Sequence, residues 1–279
     1  MIEMYVGVDL GGTNFKAGSV SDGEILKEVA NPVHRDNTKD ELIHILYKTI
    51  DLLITPDVKA IGVGIPGVLD PNSGIIYDIL NLPNWKEVPL RMLLEERYHL
   101  PVFLNNDANC FAKGEKIYGR GKPYSNFVGL SIGTGLGMGV IINNKLYNGV
   151  FCGAGEIGMV SYKDSIVEYY ASSLFFEREY NQDTKFMSDL AFQGDAEALK
   201  AFSEFGTHLG NAINNILYVY APEAIIIGGS ISKSYDLFKA AMQEAIATFA
   251  YQKQIEHLKI ELSDLGGIAI LGAAALCID

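Results

Sequence analysis

Cysteine is scarce in this 279-residue chain, and the three that occur are odd in number and far apart: Cys110, Cys152 and Cys277. No CxxC or CxC spacing is present, which disfavours both a disulfide framework and a cysteine-based zinc site. This pattern is typical of a protein in a reducing compartment, so we expect a cytoplasmic location.

The chain also has fewer positively charged than negatively charged residues. The chain has 22 Lys and Arg against 34 Asp and Glu, for a formal net charge of −12. Such a chain repels phosphate backbones at long range, so we expect no nucleic-acid partner. If an acidic protein handles small phosphates, it must neutralise them locally with Mg²⁺ and backbone N–H groups.

Long hydrophobic runs are absent. The N-terminus has no basic region followed by an apolar stretch, and later apolar segments are broken by Gly and charge, so we expect neither a signal peptide nor a membrane partner. Hydrophobic residues still make up 48% of the chain. This composition and length predict a globular protein large enough for two lobes.

A weak internal repeat organises the chain. Val6–Val20 (VGVDLGGTNFKAGSV) resembles Val128–Ile142 (VGLSIGTGLGMGVII), and both segments read as strand, glycine-rich turn and strand. Such a repeat predicts an α/β protein with duplicated βββαβα units in two lobes facing one cleft. We place the lobe boundary in a stretch rich in Gly, Pro and charge, giving an N-terminal lobe of 1–118 and a C-terminal lobe of 119–279.

Alternating and helical hydrophobic patterns predict the other elements. Strands are predicted at 4–9, 15–20, 24–30, 60–65, 102–104, 127–132, 140–142 and 224–227, and helices at 40–53, 106–116, 165–179, 196–220, 235–248 and 267–277.

Two glycine-rich turns predict a phosphate site. In Asp9–Asn14 (DLGGTN), Gly11 and Gly12 allow a tight turn whose N–H groups point at one anion. Thr13 and Asn14 add side-chain donors, Lys16 adds charge, and Asp9 can hold Mg²⁺ directly or through water. The second turn has the residues Gly133, Thr134 and Gly135. A plain hairpin turn is the alternative for either segment alone, and the pair favours a nucleotide clamp.

A third glycine pair, Gly228–Gly229, follows the buried strand pattern AIII. A flat backbone there suits a base or ribose, and a tight βα turn is an equal alternative.

A polar cluster, Asn105–Asn109 (NNDAN), follows a short strand and opens a helix. Ligands gather at such carboxyl ends of strands. Asp107 there can accept the proton of an attacking hydroxyl, and a carboxylate of ordinary pKa is already ionised at pH 7. The alternative is that Asp107 simply caps the helix.

Further polar residues suit a sugar, whose hydroxyls need paired donors and acceptors. Asn81 and Glu156 lie in loops, while Glu168 begins a helix, where a first-turn acid is also favoured by the helix dipole. Trp85, the only Trp, is either a sugar-stacking ring or a buried loop anchor.

Taken together, these motifs resemble the ROK family of repressors and kinases within the actin-like ATPase (ribonuclease H-like) superfamily. The resemblance spans nearly the whole chain, at Gly7–Gly18, Gly62–Asp70, Asn81–Trp85, Asn105–Glu115, Gly129–Gly149, Gly153–Gly158, Ile225–Ser232 and Leu271–Leu276.

The resemblance implies an ATP-dependent, Mg²⁺-requiring sugar kinase that tends to form a homodimer, with Asp107 as general base. It implies sugar contacts at Asn81, Asn106, Asp107, Glu156 and Glu168. It also implies phosphate and Mg²⁺ loops at Asp9, Gly11, Gly12, Thr13, Gly133 and Thr134, with Gly228 and Gly229 on the adenosine side.

The chain departs from the family in one segment. Many relatives have a His after GEIG and a following cysteine cluster that binds zinc, whereas here Met159 follows and the next stretch has no Cys. We therefore expect no zinc site, and a loop held by packing of Ile157, Met159 and Val160. A methionine cannot make the hydrogen bond of that His, which leaves the sugar open.

Three alternatives stay open at this point. One is a non-catalytic sugar or nucleotide sensor on the same fold. Another is an actin-like activator module, which would need clustered cysteines for an iron–sulfur cluster. The third is inorganic polyphosphate as the phosphoryl donor in place of ATP. The family's repressors carry a DNA-binding module before the first strand, for which we expect no room here.

Overall fold

The computed structural model describes residues 3–79 and 82–278, and its contacts divide the chain into two compact units. The first comprises Met1–Pro123, Gly139–Ala154 and Asp264–Asp279, and the second comprises Tyr124–Met138 and Gly155–Ser263. Each unit is therefore made of several separate stretches of sequence. The two lobes predicted from the sequence were each one continuous stretch, and that division into domains stays a prediction.

The strands, in chain order, are β1 (Met4–Leu10), β2 (Asn14–Ser21), β3 (Glu24–Pro32), β4 (Val58–Ile65), β5 (Val68–Asp70), β6 (Ile75–Asp78), β7 (Val102–Asn106), β8 (Phe127–Ile132), β9 (Leu136–Ile142), β10 (Lys145–Leu146), β11 (Ser161–Tyr162), β12 (Ser165–Ile166), β13 (Ala224–Gly228) and β14 (Lys259–Leu262). The helices are α1 (Lys39–Asp51), α2 (Leu90–Tyr98), α3 (Asp107–Ile117), α4 (Glu168–Ala171), α5 (Leu174–Tyr180), α6 (Thr184–Phe192), α7 (Ala196–Tyr220), α8 (Tyr235–Ile246), α9 (Gln252–His257) and α10 (Ile268–Ala275).

The chain forms two five-stranded mixed sheets. The strand order is β3-β2-β1-β4-β7 in the first sheet and β10-β9-β8-β13-β14 in the second. The first sheet lies within the first unit, and β8, β13 and β14 lie within the second, whereas β10 and residues 139–142 of β9 are grouped with the first unit. In both sheets an antiparallel meander is extended by two parallel strands. The predicted α/β class with duplicated units is therefore confirmed, and the repeat Val6–Val20 and Val128–Ile142 marks the equivalent first hairpins.

The C-terminal helix α10 packs directly on the first sheet because two strand glycines leave room for it. A Cβ atom at Gly62 would lie 1.9 Å from the Ala273 carbonyl oxygen, and one at Gly7 would lie 2.0 Å from that of Ile270. Only residues without a side chain permit this approach. The close contact explains why the end of the chain belongs to the first unit.

The second unit centres on α7, whose predicted bounds, 196–220, are those observed. Asp195 caps its start by accepting a hydrogen bond from the Ala198 N–H, and thirteen of its residues are buried, among them Phe202, Phe205 and Leu209. A period of 3.6 residues fixes such a long amphipathic helix from sequence alone. Within residues 3–79 and 82–278, no helix combines the length and apolar character needed to cross a bilayer.

The helix predicted over 165–179 is wrong. Residues 165–166 form β12, and the remainder divides into the short helices α4 and α5. Ser172 between them is extended, with φ −137° and ψ −172°, and its hydroxyl accepts a hydrogen bond from the Leu174 N–H. Serine competes with helical hydrogen bonding in this way, and a pattern of apolar residues does not report it.

Candidate functional site

Polar side chains meet at the carboxyl edge of the first sheet. Strands β1, β4 and β7 are parallel, and their register places Asp9 beside Gly64 and Gly64 beside Asn105. Two strand spacings separate Asp9 from Asn105, which is about 10 Å. The first glycine turn and the NNDAN segment, remote in sequence, therefore end at one edge, where ligands of parallel sheets gather.

Asp107 occupies the first position of α3 and is exposed. The cap of this helix is Asn106, whose side-chain oxygen accepts a hydrogen bond from the Ala108 N–H at 2.9 Å. The Asp107 carboxylate also accepts from that N–H at 2.9 Å. The alternative in which Asp107 is the N-cap is thus wrong, because the neighbouring residue Asn106 occupies the N-cap position. A carboxylate in the first turn of a helix is favoured in its ionised form by the helix dipole.

An asparagine network that the local sequence pattern does not predict holds the segment in place. Buried Asn105 donates to the Asn148 side-chain oxygen at 3.0 Å and accepts from the Asn109 side chain at 3.0 Å. Asn109 also donates to the Cys152 carbonyl at 3.4 Å. These bonds tie the end of β7 to the segment after β10 in the same unit. The unusual density of asparagine was the available signal, but the partner Asn148 is distant in sequence.

The electrostatics of this edge are negative. Burial raises the pKa of the Cys110 thiol well above its ordinary value, and the charges of Asp107 and Asp9 raise it further. Cys110 is buried beneath the edge, where a Cβ atom at Gly64 would lie 3.2 Å from its sulfur. A thiol in these surroundings stays protonated, so Cys110 is a packing residue and not a nucleophile.

Asp9 has the properties of a cation ligand. Burial raises the pKa of its carboxyl above the usual 3.8, and Lys16, its cross-strand neighbour, opposes that shift. Within residues 3–79 and 82–278, no hydrogen bond reaches this carboxylate. A partly desolvated carboxylate without donors gains most from a bound cation, and oxygen ligands suit Mg²⁺. The donor set present therefore fits the predicted metal role.

The first glycine turn is tight. The Gly11 N–H donates to the Asn14 carbonyl at 3.0 Å, and the Asn14 side chain donates to the Thr13 hydroxyl at 3.3 Å. A Cβ atom at Gly11 would lie 2.8 Å from the Asn14 carbonyl oxygen, so a side chain there would distort the turn. Gly12 is partly exposed at its tip, which leaves backbone accessible to an anion.

The second glycine turn leads directly into β9, which begins at Leu136 and is therefore longer than the strand predicted at 140–142. The Gly133 N–H donates to the Gly135 carbonyl, and the Gly133 carbonyl accepts from the Ser173 N–H at 2.9 Å. Thr134 is exposed at the tip. This turn thus takes the same place in the second sheet that the first turn takes in the first sheet.

The third glycine pair lies beside the second turn. Strands β13 and β8 are parallel neighbours, with Gly228 paired to Ser131. Gly229 has a φ of +88°, and a Cβ atom there would lie 2.3 Å from the Ile132 carbonyl oxygen. Both conditions require glycine. The structure therefore brings the two glycine-rich segments of the second unit together at one sheet edge.

Two predicted sugar ligands also come together in the second unit. The Glu168 carboxylate accepts a hydrogen bond from the Leu136 N–H at 2.9 Å, at the end of the second glycine turn. Burial raises the pKa of Glu156 above its usual 4.5, and the charge of Glu168 raises it further. The two carboxylates are thus close enough to interact, an arrangement that suits acceptance of hydrogen bonds from neighbouring sugar hydroxyls.

Several predicted features have other outcomes. Asn81 lies outside the described residues. Trp85 is fully buried and meets the Phe15 ring edge-on at 5.5 Å, so it is a loop anchor and the sugar-stacking alternative is wrong.

The predicted packing of the loop after Glu156 is correct only for Ile157, which is buried. Met159 and Val160 are 61% and 44% exposed, because the short 3₁₀ turn at Ile157–Met159 directs them outward. Among the described side chains, no group of three His, Cys, Asp or Glu residues is placed to share a metal ion.

Comparisons with known proteins agree with this geometry. A model of the ROK family matches residues 5–279. A glucokinase from Thermotoga maritima is 32% identical, over 97% of this chain and 96% of that protein. A xylose repressor from Bacillus spizizenii is 31% identical, over 98% of this chain and 77% of the repressor.

Solved structures show the same architecture. The crystal structure of a ROK family glucokinase from Streptomyces griseus, in complex with glucose and AMPPNP, superimposes with a TM-score of 0.82. It is 27% identical, and the alignment covers 98% of each chain. Together with the duplicated sheets, this similarity confirms the predicted actin-like ATPase fold.

Proposed function

The chain belongs to the ROK family, and from that premise we propose that it is a sugar kinase. The proposed reaction transfers the γ-phosphoryl group of ATP to a primary hydroxyl of a hexose, either glucose or a related hexose or N-acetylhexosamine. The observation that carries the proposal is Asp107: an exposed carboxylate at the sheet edge whose capping role is filled by Asn106.

In the proposed step, the sugar hydroxyl oxygen attacks the γ-phosphorus while its proton passes to the Asp107 carboxylate. The new P–O bond forms as the bond to the ADP oxygen breaks, and ADP leaves with that electron pair. General-base catalysis of this kind contributes about 10²–10⁴-fold, and alignment and electrostatics supply the remainder in phosphoryl transfer.

The glycine turns are the proposed phosphate site. Backbone N–H groups at Gly11 and Gly12, with Thr13, Asn14 and Lys16, would bind phosphate oxygens. The turn of Gly133, Thr134 and Gly135 would be a further phosphate-binding segment, with Gly228–Gly229 on the adenosine side. Asp9 would hold Mg²⁺, directly or through water, and the ion would neutralise phosphate charge that this acidic chain otherwise repels.

The proposed sugar ligands are Asn81, Asn106, Asp107, Glu156 and Glu168. The effect of the Glu168 charge on Glu156 supports their acting as a pair on adjacent hydroxyls. Met159 offers no strong hydrogen bond, so selectivity at that end of the sugar would come from the two carboxylates.

A sugar sensor without turnover is the second candidate, and the similarity to a xylose repressor favours considering it. A sensor needs the sugar ligands but not an activated base. The presence of Asp107 together with two glycine turns supports the kinase over the sensor. The net charge of −12 also supports a chain without a nucleic-acid partner.

A coupled assay of ADP release across hexoses and amino sugars, with ATP and Mg²⁺, tests the proposal. We expect sugar-dependent ADP formation with at least one hexose and a sugar phosphate as the product. Inorganic polyphosphate in place of ATP tests the donor. Sugar binding by calorimetry without any sugar phosphate, from either donor, would favour the sensor instead.

The proposal also includes a cytoplasmic homodimer. Light scattering coupled to size-exclusion chromatography would measure twice the 30.5 kDa chain mass if this part is correct.

A further inference from the structure

Three aromatic rings in the second unit pack around the ring of His208 of α7. The His208 ring lies 5.7 Å from that of Tyr162, 5.0 Å from Tyr170 and 5.5 Å from Phe175, in each case edge-on. These four residues, here called the His208 cluster, come from the β11–β12 hairpin, α4, α5 and α7. Edge-on rings at these separations stabilise each other beyond the apolar area that they bury.

Hydrogen bonds from α7 fix the Tyr162 hydroxyl. It lies 3.1 Å from His208 Nδ1, and it accepts from the Asn211 side chain at 3.1 Å. Positions 208 and 211 are three residues apart and share one helix face. Burial lowers the pKa of His208 to about 4, so its ring is neutral at pH 7 and Nδ1 can accept from the hydroxyl.

Tyr162 and Tyr170 lie on either side of Glu168 in the sequence. The β11–β12 hairpin pairs Tyr162 with Ser165, and α4 begins three residues later at Glu168. The Glu168 carboxylate in turn accepts from the Leu136 N–H beside the second glycine turn. Contacts that fix both flanks of so short a segment therefore fix the carboxylate between them.

We propose that Tyr162 is a positioning residue: its hydroxyl, held by His208 and Asn211, fixes Glu168 against the second glycine turn and thereby sets the affinity for sugar. The last clause rests on the proposed function, whereas the placement of Glu168 does not. The segment contains no cysteine, and the His208 cluster gives it an anchor made of rings and one hydroxyl.

The substitution Tyr162→Phe tests this inference, because it removes the hydroxyl and keeps the ring. The matched control is Tyr180→Phe. Tyr180 donates to Glu204 of α7 at 2.7 Å and contacts Phe175, and among the described contacts it makes no hydrogen bond to the hairpin or to α4. Both variants lose one hydroxyl bonded to the same helix, so a general loss of stability affects them alike.

Two measurements, amide hydrogen exchange and steady-state kinetics, would compare these variants with the wild type. Hydrogen exchange at the Leu136 amide should be about threefold to tenfold faster in Tyr162→Phe, the size of one lost hydrogen bond, and unchanged in Tyr180→Phe. The KM for the hexose that the wild type phosphorylates, with glucose as the first probe, should rise by a similar factor. We expect kcat and the KM for ATP to stay within about twofold of the wild type.

Equal Leu136 exchange in the two variants would overturn the placement of Glu168 by Tyr162. An unchanged sugar KM together with faster exchange would overturn the claim about affinity. If the wild type phosphorylates no hexose, the proposed function fails, and the exchange comparison still decides whether Tyr162 positions Glu168.

Discussion

The two five-stranded sheets have equivalent strand orders but different chemistry at their carboxyl edges. The first edge presents carboxylates and amides, at Asp9, Asn106 and Asp107. The second presents glycine backbone, at the turn after β8 and at Gly229. The repeat makes Asp9 the counterpart of Ser131, so the same position carries a carboxylate in one unit and a hydroxyl in the other.

A duplicated scaffold can therefore carry different side chains at equivalent positions. Each edge still combines glycine backbone with a carboxylate, because Asp9 lies beside the Gly11–Gly12 turn and Glu168 accepts from the Leu136 N–H beside the second turn. A carboxylate beside an anion cradle repels phosphate, so in the proposed kinase a cation such as the Mg²⁺ proposed at Asp9 would offset that charge.

The largest expected effect comes from a substitution at the carboxyl edge of the first sheet. Asp107→Asn should lower kcat by about 10²–10⁴-fold, because the hydroxyl proton loses its acceptor, while sugar affinity stays close to that of the wild type. Steady-state kinetics with calorimetric sugar binding would measure both.

Asp40→Asn is a matched control, since Asp40 is also an exposed first-turn acid of a helix in the first unit. A kcat for Asp107→Asn near that of the control would remove Asp107 from the base role.

The next largest effect is expected from a substitution at the carboxyl edge of the second sheet. Gly229→Ala should destabilise the fold by about 3 kcal/mol or more, because it combines a positive φ with a Cβ atom 2.3 Å from the Ile132 carbonyl oxygen. For a chain of this size, the melting temperature should fall by roughly 6–12 °C. Thermal unfolding monitored by circular dichroism would measure the change.

Gly266→Ala is the control, because a Cβ atom there would meet nothing within 4 Å. Similar melting temperatures for the two alanine variants would contradict the steric argument at the second edge.

The smallest effect concerns charge beside the second edge. Burial and Glu168 raise the folded-state pKa of Glu156, so the folded chain binds this proton more readily than the unfolded chain does. The stabilisation that protonated Glu156 gives the folded state is therefore fully present below the usual pKa of 4.5. It is lost as the pH rises through the raised pKa that Glu156 has in the folded state. Glu156→Gln should melt slightly above the wild type at pH 7–8, with the difference vanishing toward pH 4.5.

The exposed Glu244 of α8 provides the control variant Glu244→Gln. Melting curves at several pH values should show no comparable pH-dependent gain for it. The opposite result would be a Glu156→Gln variant whose stability relative to the wild type is lower at pH 8 than at pH 5. That result would contradict a raised pKa for Glu156 in the folded state.

The sequence by itself determined the features that are satisfied locally. The glycine turns, the duplicated hairpins and the bounds of α7 follow from the tight turning that glycine permits, from alternation and from helical periodicity, all of which act over a few neighbouring residues. The Asp107 segment was likewise identified at a strand end. Where local patterns were ambiguous, as over 165–179, the prediction of one continuous helix was wrong.

Only the tertiary structure decided which distant groups hold the site in place. Asn105 meets Asn148, 43 positions away, and Tyr162 meets His208, 46 positions away. It also turned Met159 outward and buried Trp85. The physical reason is that a side chain's partners depend on how sheets and helices pack, and residue type restricts those partners without selecting them.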